Sequence, residues 1–438
     1  MEKINFSRDI DIRYKTEILV CGGGPSGIAA AVTAARQEKD VTIVDMNFSL
    51  GGAGTVGMVP AFMQFSDGEN FLADGIGREI LNRLEKAGGT GGFRKNAINT
   101  EVLKRVYDDM VTEAEIKTIL GVSIIGVEKD KNNISHVILS GKSGIYAIES
   151  KIFIDCTGDG DVCAKAGAPF EYGDENGEVM PGTLCSFWTD IEWDKVDGRQ
   201  DRMLKEAFKE DIFTTHDLHL TGISRSGKTF GGGNIGHAFG INPLDEVSLT
   251  NAFIEQRKIL LEYQEYYRRF LNGFSKVNLA GTASIMGIRE SRRIMGDYVL
   301  CLKDFQNRAI FDDEIGRYCY PVDIHASNPD EEGFKKFEEE YKKNFKYNKG
   351  ESYGIPYRIL LPKTLDNVLM AGRCISCDRY LMGSIRVMPG CYITGQAAGM
   401  ASSMAIEENI TPREINVKKL QKKLIEIGAY LPNYKGEK

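Results

Sequence analysis

Residues 18–27, ILVCGGGPSG, run into IAAAVTAA at 28–35 and then into VTIVD at 41–45. The order reads as strand, glycine turn, helix, strand and acidic end, the opening unit of a doubly wound α/β sheet. Gly22 permits the tight turn, Gly24 lets a pyrophosphate approach the backbone, and Gly27 lets helix and strand pack closely. The helix beginning here, with Pro25 and Ser26 in its first turn, aims unpaired N–H groups and a positive dipole end at the phosphates. Asp45 lies about 20 residues beyond the turn, where a carboxylate accepts from ribose hydroxyls and repels a 2'-phosphate. The stretch therefore predicts a dinucleotide with an unphosphorylated adenosine.

Working outward, residues 49–57, SLGGAGTVG, place Gly51 and Gly52 in a second glycine cluster instead of the helix usual at this point. Such a loop lets backbone run against an extended ligand, and the stretch to Met63 is apolar enough to lie over an aromatic ring. Residues 72–86 and 100–114 carry apolar side chains at helical spacing, with a glycine break at 88–92. Three alternating runs follow at 124–130, 134–140 and 144–150, with 129–133 as a hairpin turn. Residues 151–155, KIFID, then read as a further short strand ending at CTGDGD (156–161). Thr157, Gly158 and Asp159 in that turn are a second expected contact with the ligand.

The C-terminal part closes the same site. Residues 367–371, NVLMA, read as a buried strand with Gly372 and Arg373 at its end. Residues 388–404, MPGCYITGQAAGMASSM, read as a small-residue helix with Pro389 in its first turn, able to pack on the first helix or on the cofactor. A helix N-terminus there suits a flavin, whose reduced ring is anionic at its pyrimidine end. A nicotinamide needs no such arrangement.

These segments together, GGGPSG with VTIVD, SLGGAGT, IDCTGDGD, GIRESRRI (287–294), YGIPYR (353–358), NVLMAGRCIS and GSIRVMPGCYITGQAAG, resemble the FAD-dependent oxidoreductase family of the glutathione-reductase-like flavoprotein superfamily. The resemblance covers nearly the whole chain in motif order. It implies an α/β, Rossmann-like FAD-binding domain of glutathione-reductase type, formed by residues 1–169 and 353–438, with an inserted α+β substrate domain over 170–352. In that superfamily the glycine turn and acid hold the ADP half of FAD, while the glycine-arginine segment and the following helix approach the ribityl chain and flavin. Asp45 stands where glutamate is more usual. Some members carry a xanthan-lyase description, so the resemblance supplies no substrate.

Composition sets the remaining bounds. The 438 residues, with hydrophobic side chains at 42% and charged ones at 27%, fit a globular chain with two domains. The formal net charge of -7 supplies no basic footprint for nucleic acid. No run of about 18 apolar residues marks a membrane span, and the N-terminus lacks an apolar signal region. Nine cysteines without a disulfide-framework spacing fit a reducing compartment, and a cytoplasmic location is expected. The oligomeric state has no sequence signature here.

A second GxGxxG, at Gly231, Gly233 and Gly236, follows the polar stretch 225–229 and precedes Pro243, so it lacks strand before and helix after. No separate nicotinamide module is expected. Cys374 and Cys377 form a CxxC, but a disulfide reductase carries its reactive pair where this chain has Gly51 and Gly52, so isolated structural cysteines are expected. No metal is expected, because one CxxC without a second pair or nearby histidines cannot complete a tetrahedral site.

Within the inserted region, residues 249–270 read as a long amphipathic core helix and 331–349 as a solvated charged run. Arg289 and Arg386 suit a substrate carboxylate or sugar oxygen. Glu290 is placed to pair with either. His325, ending a strand-like run at 320–325, is the candidate proton relay, with His237 behind it. The expected activity is hydride transfer between a small polar organic substrate and flavin N5. Two other readings are a flavin-binding protein acting on tRNA, separable by a salt-sensitive shift assay, and a polysaccharide lyase, whose activity would survive FAD removal.

Overall fold

The computed structural model describes residues 2–5, 7–91, 95–325 and 345–436. Its main sheet is built from β1 (Asp11–Cys21), β2 (Val41–Asp45), β3 (Lys117–Leu120), β4 (Ser123–Asp130), β5 (Asn133–Gly141) and β6 (Gly144–Asp155), in the order β3-β2-β1-β6-β5-β4, with a seventh strand, Val368–Met370, on β6. β1, β2, β3, β6 and Val368–Met370 are mutually parallel, as a Rossmann-like sheet requires. Burial on both faces explains the unbroken ILVC at 18–21, in which no residue is exposed.

One strand reads differently from the sequence expectation. The runs at 144–150 and 151–155 are a single strand, β6, because β1 pairs along it from Tyr146 to Asp155. On its other edge β6 has two successive neighbours. Its first half meets β5 antiparallel, and Phe153–Asp155 meet Val368–Met370 in parallel. The C-terminal ends of β1, β2, β6 and Val368–Met370 therefore fall on one side of the sheet, where each is followed by one of the glycine-containing loops.

The helix Pro25–Ala35 is buried from Ser26 to Ala34. Across it lies the helix Met388–Glu408, buried from Met388 to Ala405, with Pro389 in its first turn. Glycine sets their separation. A Cβ on Gly395 would lie 2.2 Å from the Ser26 carbonyl oxygen, and one on Gly399 would lie 2.3 Å from that of Ala30.

A second core forms around an antiparallel sheet of Asn278–Thr282, Ser186–Thr189, Gly231–Gly233 and Ile223–Arg225, in that order. Gly231–Gly233, the discounted glycine motif, is thus a central strand, and a Cβ on Gly232 would meet Pro60 at 2.5 Å. The long helix spans Glu246–Phe270 and starts three residues before the apolar pattern does, because Asp245 caps it by accepting from Ser248 N. Tyr263, Tyr266 and Tyr267 join Trp188 and Phe274 in this core, which runs from Val179 to Met286. From Ile294 onward the buried residues return to the first core. Residues 320–325 form no strand. Of the charged run at 331–349, residues 331–344 lie outside the described residues.

Candidate active site

The glycine turn divides its labour as its spacing predicts. Gly22 has a φ of 100°, and a Cβ there would sit 2.4 Å from the Cys156 carbonyl oxygen. Gly27 packs so closely that a Cβ would lie 1.9 Å from the Gly22 carbonyl oxygen. Gly24 is the opposite case, since a Cβ there would meet nothing within 4 Å. Gly24 is also the N-cap of the helix Pro25–Ala35, and no side chain caps that end. Uncapped N–H groups at a helix start, beside a position where an added Cβ would meet nothing, are the kind of feature that can hold an anion.

Around this helix start the other predicted cofactor residues are brought together. Asp45 Oδ2 accepts from Gly23 N at 2.6 Å, while Oδ1 accepts from Asn47 N and Nδ2 at 2.7 and 2.9 Å. The carboxylate thus braces the turn, and its remaining lone-pair capacity is what a ribose could use. Gly51 and Gly52 have φ values of 101° and 50°, and Gly51 N donates to the Gly23 carbonyl at 2.7 Å, which pins the second glycine loop to the first. A Cβ on Gly54 would reach Sδ of Met388 at 2.9 Å, so this loop continues to the N-terminus of the helix Met388–Glu408.

The other two loops interlock. Buried Asp155 accepts from Thr157 Oγ1 at 2.7 Å and Cys163 N at 2.9 Å, and burial pushes its carboxyl pKa up. Asp159 accepts from Arg373 Nη2 at 2.7 Å and from Ser291 Oγ at 2.5 Å, which ties the CTGDGD, GRCIS and GIRESRR segments into one cluster. Gly158 has a φ of 79° and lies against Arg373. Gly372, φ 87°, sits where a Cβ would meet Ser26 Oγ at 2.5 Å. The CxxC thiols donate to separate carbonyls, Cys374 to Asp155 and Cys377 to Ile375, and burial raises both.

Beyond the Met388 end lies a buried polar cluster that contains all three predicted catalytic residues. Arg386 occupies the turn between the short helix Arg379–Ile385 and the helix Met388–Glu408. Its Nη2 donates to Asp323 O and Oδ2, both at 3.2 Å, and its Nε is buried with no hydrogen-bond partner among the described residues. His325 Nε2 lies 3.3 Å from Asp323 Oδ1, and His325 Nδ1 lies 3.1 Å from His237 Nε2. His237 Nδ1 in turn is 2.9 Å from Asp217 Oδ2. Arg289 is buried and donates to the Pro181 carbonyl at 2.7 Å and Thr183 Oγ1 at 2.9 Å.

Burial acts against the Asp323 charge, but His325, Arg386 and Arg289 together hold its carboxyl well below the usual carboxylate range. Burial and then Arg289 push His325 well below the usual imidazole value. Burial and then His237 bring His219 down to about 4. Arg289 is lowered to about 10 by burial and by Arg386.

Two assignments change. Glu290 pairs with neither Arg289 nor Arg386. It is fully buried and accepts from Arg293 Nη1 at 2.7 Å, Arg379 Nε at 3.0 Å and Met180 N at 3.0 Å, which makes it a structural anchor. His219, which no sequence argument singled out, joins His237 and His325. Its only signal was the short spacing HDLHL at 216–220, whose other histidine, His216, instead stacks on Phe208.

A parallel sheet whose strand ends carry an uncapped helix N-terminus and glycine loops, with a glycine-arginine loop and a buried ionisable cluster beyond them, is the architecture of a dinucleotide-binding fold. A family model described as FAD dependent oxidoreductase matches residues 17–424, and the chain belongs to that family, an enzyme with FAD as its cofactor. Over 154 residues it is 27% identical to the soluble pyridine nucleotide transhydrogenase of Pseudomonas putida, covering 30% of this chain and 32% of that one. The match thus spans about a third of that relative's length. Among solved structures, a geranylgeranyl bacteriochlorophyll reductase-like protein from Thermoplasma acidophilum is similar at a TM-score of 0.46 and 12% identity, over 94% of this chain and 84% of that one. The L-proline dehydrogenase from P. horikoshii is similar at 0.43 and 12%, over 95% and 100%. Among the described residues no helix is long and apolar enough to cross a membrane.

Proposed function

We propose that this enzyme transfers a hydride between a small polar organic substrate bearing an anionic group and N5 of FAD. The observation that carries the reading is Arg386, which stands directly ahead of the helix Met388–Glu408, with a buried Nε that has no hydrogen-bond partner among the described residues and with Nη2 held by Asp323. Bound FAD supplies the hydride acceptor. The chain's own part is to bind, orient and move a proton.

Arg386 offers the planar fork that grips a carboxylate or phosphate oxygen, and the nearby charge of Arg289 adds to it. His325, kept neutral by burial, takes or returns the proton that accompanies the hydride, and Asp323 at its Nε2 stabilises the charged imidazole. His237 and Asp217 extend this array by two further links. Gly22, Gly24, Pro25, Ser26 and Gly27 would hold the pyrophosphate, Asp45 the adenosine ribose, and Gly51 and Gly52 the path between them. Thr157, Gly158, Asp159, Gly372, Arg373 and the Pro389 helix end would hold the ribityl chain and flavin.

On this reading residues 1–169 and 353–438 form a glutathione-reductase-type FAD unit, and an α+β substrate unit is inserted within 170–352, centred on the core from Val179 to Met286. No surface for nucleic acid is proposed, since the paired arginines are occupied: Arg292 by Asp161, Arg293 by Glu290, and Arg269 by Glu265. The test is anaerobic bleaching of the visible flavin band by a panel of hydroxy, amino and unsaturated acids. Arg386→Lys keeps a cation beside Asp323 but loses the fork. It is expected to raise the concentration of the active compound needed for half-maximal bleaching by about tenfold or more, about 1.4 kcal/mol. An unchanged value in the variant would remove Arg386 from substrate binding.

A further inference from the structure

Three of the chain's five histidines, at 219, 237 and 325, meet in the polar cluster, and proton transfer as described needs only one of them. Their ring centroids form a nearly equilateral triangle with sides of 5.2, 4.9 and 5.1 Å. One nitrogen from each ring lies within 4.8 Å of the other two. The inner nitrogens of His237 and His325 face each other at 3.1 Å, while the outer ones are turned to carboxylates, Asp217 at 2.9 Å and Asp323 at 3.3 Å.

That is the layout in which a carboxylate fixes the tautomer and orientation of a metal-ligating imidazole. Two imidazole nitrogens on one tetrahedral ion, each bonded at ~2.0–2.1 Å, lie roughly 3.3 Å apart, close to the separation between His237 and His325. The two carboxylates offset the charges of Arg289 and Arg386, so the neighbourhood does not exclude a dication. The geometry points to a divalent transition-metal site formed by His219, His237 and His325, with Asp217 and Asp323 as the groups that orient the rings.

Three imidazoles suit zinc, iron, nickel or cobalt, and they leave a coordination position open, as catalytic sites do and structural ones do not. The open position would take an oxygen of the substrate whose anionic group Arg386 holds, which narrows the substrate to a hydroxy or oxo acid. A substrate hydroxyl bound there is acidified and releases its proton to solvent water, so His325, as a ligand, would no longer be the group that takes it. This substrate class rests on the FAD-dependent reading, whereas the metal site does not.

The test uses the flavin-bound protein after dialysis against a chelator, titrated with Co2+ and followed by equilibrium dialysis and by the d–d absorption of the ion. Wild type is expected to take up one equivalent with the intense bands of a four- or five-coordinate site. His219→Gln and His237→Ala should each lose that stoichiometric binding, and Asp217→Asn should weaken it by roughly ten- to hundredfold. Far-UV circular dichroism and flavin content serve as folding controls, and Asp217→Asn provides the comparison if His237→Ala does not fold. Absence of stoichiometric Co2+ in wild type, or equal binding in His219→Gln, would overturn the site and leave the histidines as a hydrogen-bonded array. Cobalt uptake by a chain that holds no flavin would instead sustain the metal site and end the FAD-dependent reading.

Discussion

Gly24 and Gly27 stand three residues apart, and an added methyl would meet opposite surroundings at the two positions. At Gly27 it would collide with the Gly22 carbonyl at 1.9 Å, whereas at Gly24 it would enter open space. Gly27→Ala should therefore cost stability itself, by ~1–3 kcal/mol for overpacking. Gly24→Ala, with φ at -70°, should leave the melting temperature of the FAD-free chain essentially unchanged and raise the FAD dissociation constant by about tenfold or more. Thermal melts and FAD titrations separate the two effects. Equal FAD affinity in Gly24→Ala and wild type would mean that the space is not the pyrophosphate cradle. The turn was readable in advance because its glycines answer local constraints that a short sequence states. Arg293, three residues on, was a local partner for Glu290, but Met180 lies 110 residues from Glu290 and Arg379 89, and His325 lies 106 residues from His219, distances that no local pattern encodes.

The helices Pro25–Ala35 and Met388–Glu408 carry the same logic to a larger unit. The spacing of Gly395 and Gly399 puts both on one face, one turn apart, against Ser26 and Ala30. Gly399→Val should push the helices apart, lower the urea midpoint and release FAD in parallel, because the N-terminus of the first helix is proposed to hold the pyrophosphate. A midpoint equal to that of wild type would contradict the close packing. Small residues in GQAAG announced this contact, although the sequence left open whether the first helix or the cofactor was the partner. The boundaries of β6 were harder to read. Its two halves carry different patterns because the first borders a hairpin and the second a buried parallel strand, so a single strand resembled two.

Across the molecule, the sheet's strand ends, the two glycine loops and the N-terminus of Met388–Glu408 form a continuous path from Asp45 through Gly24 and Gly54 to Arg386. The sequence motifs singled out Asp45, Gly24 and Arg386, but not Gly54. What the motifs did not announce is how residues between 217 and 325 converge at its end, since Asp217, His237 and Arg289 come from irregular segments around the second core and Asp323 from one packed on the first. FAD lying along this path would have its reactive end beside Arg386. The visible spectrum of the purified protein during titration with a small carboxylate examines this directly. One FAD per chain is predicted, with a carboxylate-induced shift of the flavin band that is absent in Arg386→Lys. A chain that takes up no FAD, or an identical shift in the variant, would contradict it.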